Sequence, residues 1–290
     1  MAVEGKKTKV AALSVVSNTV LIALKVVAGI LSGSVSMISE AIHSSVDLLA
    51  ALIAFFSIRM AAKPADKSHP YGHGKIENVS GVIEGVLILV AAVFIIKEGI
   101  TKITHREPVT QTTLAIVVML ISAGVNAVIS RILYKTAKAE DSIALEADAL
   151  HLKTDVYTSL GVGLGLLLLK ITGISILDPV FAILVALLII KESLSLVKNA
   201  FSPLIDSCLS EDEESLIKEV INKYNSKIVD FHEFRTRRAG NIKYIDFHML
   251  VDKKLSVEEA HDLSDKIEND IEKAVKNTSV NIHIEPACSP

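Results

Sequence analysis

Six long apolar stretches dominate the first two thirds of the chain, at residues 10–31, 36–59, 79–100, 112–134, 144–169 and 177–197. Each comes close to the roughly 20 residues a helix needs to cross a bilayer core. Beyond residue 200 the pattern is that of an ordinary polar domain. Residues 211–224 read as a helix opened by Ser210 and an acidic first turn, Glu211 to Glu214. Residues 228–237 and 242–251 alternate apolar and polar positions, as strands do, with Ala239-Gly240-Asn241 as the turn between them. Residues 256–275 form a second helix, begun by Ser256 with Glu258 and Glu259, and 279–285 a last strand. The pattern predicts an all-α six-helix transmembrane domain over 1–205 and a small cytoplasmic α/β domain over 206–290, an αββαβ open sheet with helices on one face.

Basic residues orient the spans. Lys6, Lys7 and Lys9 precede the first stretch; Arg59, Lys63, Lys67 and Lys75 fill the second connection; Arg131, Lys135 and Lys138 fill the fourth. The first connection has none, the third has Lys102 and Arg106 offset by Glu107, and the fifth has at most Lys170. Excess Lys and Arg mark the cytoplasmic side, so both termini and the C-terminal domain are expected there, in the cell membrane. Small residues suited to signal cleavage (Gly29, Ser32, Gly33, Ser34) come only after a spanning length, which predicts a retained first helix.

Composition changes this picture little. Half the residues are apolar, a fraction also found in soluble domains. A net charge of −3 argues against nucleic acid as a partner, and no GxxxxGK[ST] loop offers a nucleotide site. Cys208 and Cys288 form no CxxC pair, which argues against a cysteine zinc site and a disulfide framework.

The chemistry sits inside the spans. His43 and Asp47 lie in AIHSSVD, His151 and Asp155 in ALHLKTD. Residues at i and i+4 share a helix face, so each helix offers an imidazole and a carboxylate in one direction. A charged side chain at mid-membrane costs roughly 2.5–3.5 kcal/mol, and a chain that bears this twice in the same spacing points to ligands rather than packing. Two nitrogens and two oxygens suit tetrahedral zinc. Asn18, Lys25, Glu84, Asn126, Asp148 and Lys153 are read as structural, with Asp148, one turn before His151, the candidate exception. In the second connection, PADKSHPYGHGKIE, Asp66, His69 and His73 read either as a second, weaker site or equally as surface residues of a Gly- and Pro-containing loop. In the tail, His283 and Glu285 share a strand face, His232 and His248 lie on neighbouring strands, and His261 lies on the following helix.

The two HxxxD motifs, the loop ending HPYGHGKIE, Asp178-Pro179 at the head of the last span and the histidine-bearing tail resemble the cation diffusion facilitator family over essentially the whole chain. The resemblance implies a homodimeric exporter of divalent metal driven by proton antiport. It implies a transport site at His43, Asp47, His151 and Asp155, and a loop site at Asp66, His69 and His73. It also implies a cytoplasmic site at His232, His248, His261, His283 and Glu285, and a Lys75–Asp206 pair joining the two domains. Several bacterial members carry Asp where this chain has His43, and the His resembles the zinc-preferring pattern. Zn2+ is the expected ion, with cobalt, nickel, iron or manganese as alternatives, and H+ the counter-ion. A membrane metal sensor and an intramembrane metallohydrolase are the rival readings; the second lacks an HExxH motif.

Overall fold

The computed structural model describes residues 2–32, 35–105, 113–172 and 176–287. The connection at 106–112 and Cys288 lie outside the described residues, as do some helical side chains, those of His43 and Asp178 among them. Six long helices come first: α1 (Ala2–Ser32), α2 (Val35–Ala61), α3 (Lys75–His105), α4 (Thr113–Ala139), α5 (Ile143–Thr172) and α6 (Leu177–Phe201). Each corresponds to one of the predicted apolar stretches and runs past its C-terminal end. Among the described residues, Gly5–Ala28, Lys75–Thr101 and Pro179–Ile205 are long and apolar enough by themselves to cross a membrane. Helix α5 dilutes its apolar run with Glu146, Asp148, His151, Lys153 and Asp155.

The helices pack as pairs: α3 along α6, α1 along α2, and α4 along α5, with α5 also meeting α6. At Gly85 on α3 a Cβ would stand 2.6 Å from Val197 Cγ2 on α6, so glycine is what lets this pair close. The buried face of α1 runs Lys7, Ala11, Ser14, Asn18, Leu21, Lys25, Ala28 at alternating steps of four and three, the repeat of one helix stripe. At its N-terminal end Lys7 Nζ meets Glu77 Oε1 at 3.1 Å, both at most 5% exposed, and Ser142 Oγ donates to the other Glu77 oxygen. A buried ion pair survives only when its remaining lone pairs are used; here the Ser142 hydroxyl uses one.

The C-terminal domain comprises α7 (Glu211–Asn222), β1 (Asp230–Ala239), β2 (Ile242–Val251), α8 (Val257–Ala274) and β3 (Thr278–Pro286). This is the predicted αββαβ order. The sheet is ordered β1-β2-β3, antiparallel between β1 and β2 and parallel between β2 and β3. Ser210 with Glu213, and Ser256 with Glu259, form capping boxes that satisfy the first backbone N–H groups of α7 and α8. Ile245, Phe247, Met249 and Val251 on β2 pack with Ile217 and Ile221 of α7 and Leu263, Ile267 and Ile271 of α8. Strand alternation sends the intervening residues to the opposite, open face.

The domains meet where the 62–74 loop touches the β1–β2 hairpin. Gly240 has φ +61°, and a Cβ on Gly74 would stand 2.5 Å from Ala239 O, so two glycines allow this contact. Around them Lys75 Nζ bonds Asp206 Oδ1 at 2.8 Å, and Arg237 reaches the same oxygen at 3.6 Å. Arg237 also lies over the rings of Tyr71 and Tyr244, and Tyr244 Oη donates to Tyr71 O at 3.0 Å. The Lys75 hydrogen bond, helped by Arg237, holds the Asp206 carboxyl below the usual carboxylate range.

Candidate metal centre

Helices α2 and α5 bring Asp47, His151 and Asp155 together. His151 Nε2 stands 3.0 Å from Asp47 Oδ1, and one ligand atom from each of the three residues falls within 4.8 Å of the others. Asp47 and His151 are 6% and 7% exposed. The site is thus withdrawn from solvent, where a bound cation offsets the cost of two carboxylates. Asn126 Nδ2 on α4 donates to Asp155 Oδ2 at 3.2 Å, a bond that fixes how the carboxylate is turned. Helix periodicity places His43 one turn before Asp47 on α2, on the same helix face. Lys153, on α5 between His151 and Asp155, turns to the Tyr157 ring, 5.2 Å from its centroid.

The loop site is assembled by its own backbone. Asp66 Oδ1 accepts from the N–H groups of Ser68 and His69 at 2.8 and 2.7 Å, and these bonds, His69's foremost, hold its carboxyl below the usual range. The same carboxylate lies 3.4 Å from His69 Nδ1 and 3.5 Å from His73 Nε2. The three residues are close enough to share an ion, but Asp66 and His69 are exposed.

On the open face of the sheet, register aligns three histidines. His232 pairs with His248 across β1 and β2, and His248 pairs with His283 across β2 and β3. Glu285 joins them, 3.0 Å from His248 Nδ1, 3.4 Å from His232 Nε2 and 3.6 Å from His283 Nε2. Ligand atoms of His232, His248 and Glu285 converge within 4.8 Å. His261 is not brought to this group within one chain. It sits exposed on α8, 3.6 Å from Asp265, and α8 covers the other face of the sheet.

Residues 11–205 match the cation efflux transmembrane domain, and residues 209–287 match the cation efflux protein cytoplasmic domain. An uncharacterized transporter of Synechocystis sp. is 35% identical over 97% of this chain and 90% of its own. The cation-efflux pump FieF of Shewanella oneidensis is 33% identical over 94% of this chain and 92% of its own. The metal-bound C-terminal domain of the CzcD transporter from Thermotoga maritima is 30% identical, covering 27% of this chain and 94% of that one, with a TM-score of 0.25.

This chain belongs to the cation diffusion facilitator family. As a cation efflux protein it is a membrane-integral transporter. Two residues beside its clusters were not singled out as site residues in the sequence. Asn126, read as structural, orients Asp155. Glu233 reaches 3.8 Å from His248 Nε2 because β1 bulges between His232 and Arg235, with Glu233 at φ +48°. A bulge leaves no signal in residue type, whereas an Asn one helix away from an HxxxD motif is at least visible as a polar residue in a span.

Proposed function

We propose that this cation efflux protein moves divalent transition-metal ions, zinc foremost, out of the cytoplasm in exchange for protons. The observation that carries this reading is the buried convergence of Asp47, His151 and Asp155 from two helices. His43, one turn from Asp47, supplies the fourth ligand of a tetrahedral site. Ligation needs neutral imidazole and ionised carboxylate, so metal and protons compete for the same atoms. Facing inward, the site takes up metal and gives up protons; facing outward, it is reprotonated and gives up metal. The protein works as a homodimer with both termini and the sheet domain in the cytoplasm, a reading supported by the basic second and fourth connections and by the match to the family's cytoplasmic domain. The His232–His248–His283–Glu285 row and the Asp66–His69–His73 loop bind the same ion more weakly on that side. His261, on the outward side of α8, contributes to the row only from a second copy.

The test is metal uptake into inside-out vesicles holding the purified protein, with zinc, cobalt, iron, manganese and cadmium in competition and with or without a proton gradient. Zinc uptake that collapses with the gradient supports the proposal. Metal binding without uptake would favour a sensor instead, and uptake indifferent to the gradient would remove the proton.

A further inference from the structure

A cleft of about 540 Å3 runs along α5 between α4 and α6. Its α5 wall includes Glu146, Leu150, Lys153, Tyr157 and Leu160, at steps of four and three, a single helix stripe. Lys153 is two residues from both His151 and Asp155, so this stripe is on the opposite face of α5 from the metal centre. Ser130 Oγ on α4 donates to Ala149 O at 2.7 Å and ties the two helices together at the cleft. Arg131 of α4, Lys153 of α5 and Glu192 of α6 line it eight, ten and nine residues from the helix ends nearest the sheet domain, and so share one depth. That depth is about 12–15 Å at 1.5 Å per residue. Further along, Tyr157 and Leu160 also line a second cleft, of about 390 Å3, whose α6 wall is apolar: Phe181, Leu184, Val185 and Leu188. The two clefts thus form one groove, charged at one end and apolar at the other. From Lys153 to Gly161, which lines the apolar end, α5 rises about 12 Å, against about 15 Å of hydrocarbon in one leaflet.

The charged end is not balanced within itself. Glu146 is taken by Lys138 Nζ at 2.8 Å, which leaves Arg131 and Lys153 facing Glu192 alone. Lys153 lies over the Tyr157 ring, 5.2 Å from its centroid, and Arg131 has no ion-pair partner among the described residues. One positive charge is therefore in excess, at a depth where an uncompensated cation is costly. An apolar helix of another protein would bury that cation without an answer, and a metal ion would be repelled by it. A lipid with an anionic headgroup meets each feature in turn. Its phosphodiester suits Arg131 and Lys153, its headgroup hydroxyls suit Glu192 and Asn199, and its acyl chain suits the apolar end. We propose that this groove binds an anionic phospholipid drawn from the leaflet on the sheet-domain side, with the phosphate held by Arg131 and Lys153. No metal ligand takes part, so the inference is independent of which ion is carried and of what drives export.

The test is native mass spectrometry of the full-length protein in detergent, titrated with phosphatidylglycerol and, separately, with phosphatidylethanolamine of the same acyl chains. We expect the parent to hold one phosphatidylglycerol about tenfold more tightly than phosphatidylethanolamine, and Arg131→Gln and Lys153→Gln each to weaken it about fivefold. Lys191→Gln is the control: Lys191 is exposed on α6 beside Glu192 but does not line the groove, and its loss should leave the preference intact. Arg131→Lys, which keeps the charge, should restore most of the binding and so separates lost recognition from a misfolded variant. Leu184→Trp, which fills the apolar end, should weaken both lipids alike. Equal retention of the two lipids by the parent would overturn the proposal. So would a preference that survives Arg131→Gln, or one that falls as far in Lys191→Gln, which would make it a property of surface charge at large. A change of oligomeric mass in Arg131→Gln with lipid binding untouched would also overturn it, by making the groove a contact between copies of the chain.

Discussion

Asp47 and Asp155 reach the same point from different helices, so neither can stand in for the other. In the proposed site, replacing either by Ala would leave at most three ligands and take a negative charge from around the cation. We expect zinc flux to be lost in both variants while insertion is kept, since removing a charge from a span eases it. Normal flux from reconstituted Asp155→Ala protein would rule the site out. Asn126 is placed to act through Asp155, to which its Nδ2 donates. Loss of such an orienting partner commonly weakens metal binding about 10–100-fold. Asn126→Ala is therefore expected to raise the zinc concentration needed for half-maximal uptake by that order, with uptake at saturating zinc largely kept. His43→Asp would exchange a nitrogen for a hard oxygen, and oxygen-rich sites accept larger ions and looser geometry. We expect the cadmium-to-zinc uptake ratio, measured in one vesicle preparation at one pH, to rise; an unchanged ratio would move selectivity to helix packing or the access route.

Single elements show which parts of the site sequence could disclose. The HxxxD spacing is a property of one helix, so the facing of Asp47, and of His151 with Asp155, could be read from α2 and α5 alone. That Asp47 lies 3.0 Å from His151 depends on how the two helices are shifted along each other, which no local pattern encodes. The sheet divides in the same way. Parity puts His283 and Glu285 on one face, but the row His232–His248–His283 comes from register across three strands. Parity also explains His261: α8 packs on Phe247 and Met249, which alternate with His248, so the helix and the histidine row occupy opposite faces. The Gly74–Gly240 contact was equally hidden, because it joins a loop to a hairpin about 165 residues away. Its consequence is testable. Gly74→Ala drives a methyl into Ala239 O, a backbone atom that cannot swing aside, and overpacking of this kind costs about 1–3 kcal/mol. We expect a lower melting temperature and an opened loop, seen as faster amide exchange over residues 66–74. Gly72→Ala is the control, with open space for the methyl but a φ of +80° that strains it locally.

At the scale of the whole molecule, the Asp206 carboxylate is the one point where Lys75 at the head of α3 and Arg237 of the sheet domain meet a common partner among the described ion pairs. It follows directly on α6 through the Ser202–Ile205 turn, and α3 and α6 are packed along their length. On the proposed reading, a tilt of that helix pair would reach the hairpin through this contact, and metal held on the sheet would bias the pair in return. The energy stored in the contact is small, about 0–1 kcal/mol for a pair this exposed, so it adds little to stability and would matter through position. Because the folded-state carboxyl titrates below its usual range, the contact's contribution is present above the ordinary aspartate range and is lost as pH falls through the lowered folded value. Asp206→Asn imitates the acid state at neutral pH. We expect this variant to melt within about 1 kcal/mol of the parent, to exchange amides faster in both the 66–74 loop and the 236–243 hairpin, and to lose most of its zinc flux. Acidification should loosen the same two segments in the parent and add nothing in Asp206→Asn. A variant whose flux matches the parent while its hairpin exchanges faster would separate the junction from transport and leave it a passive strut.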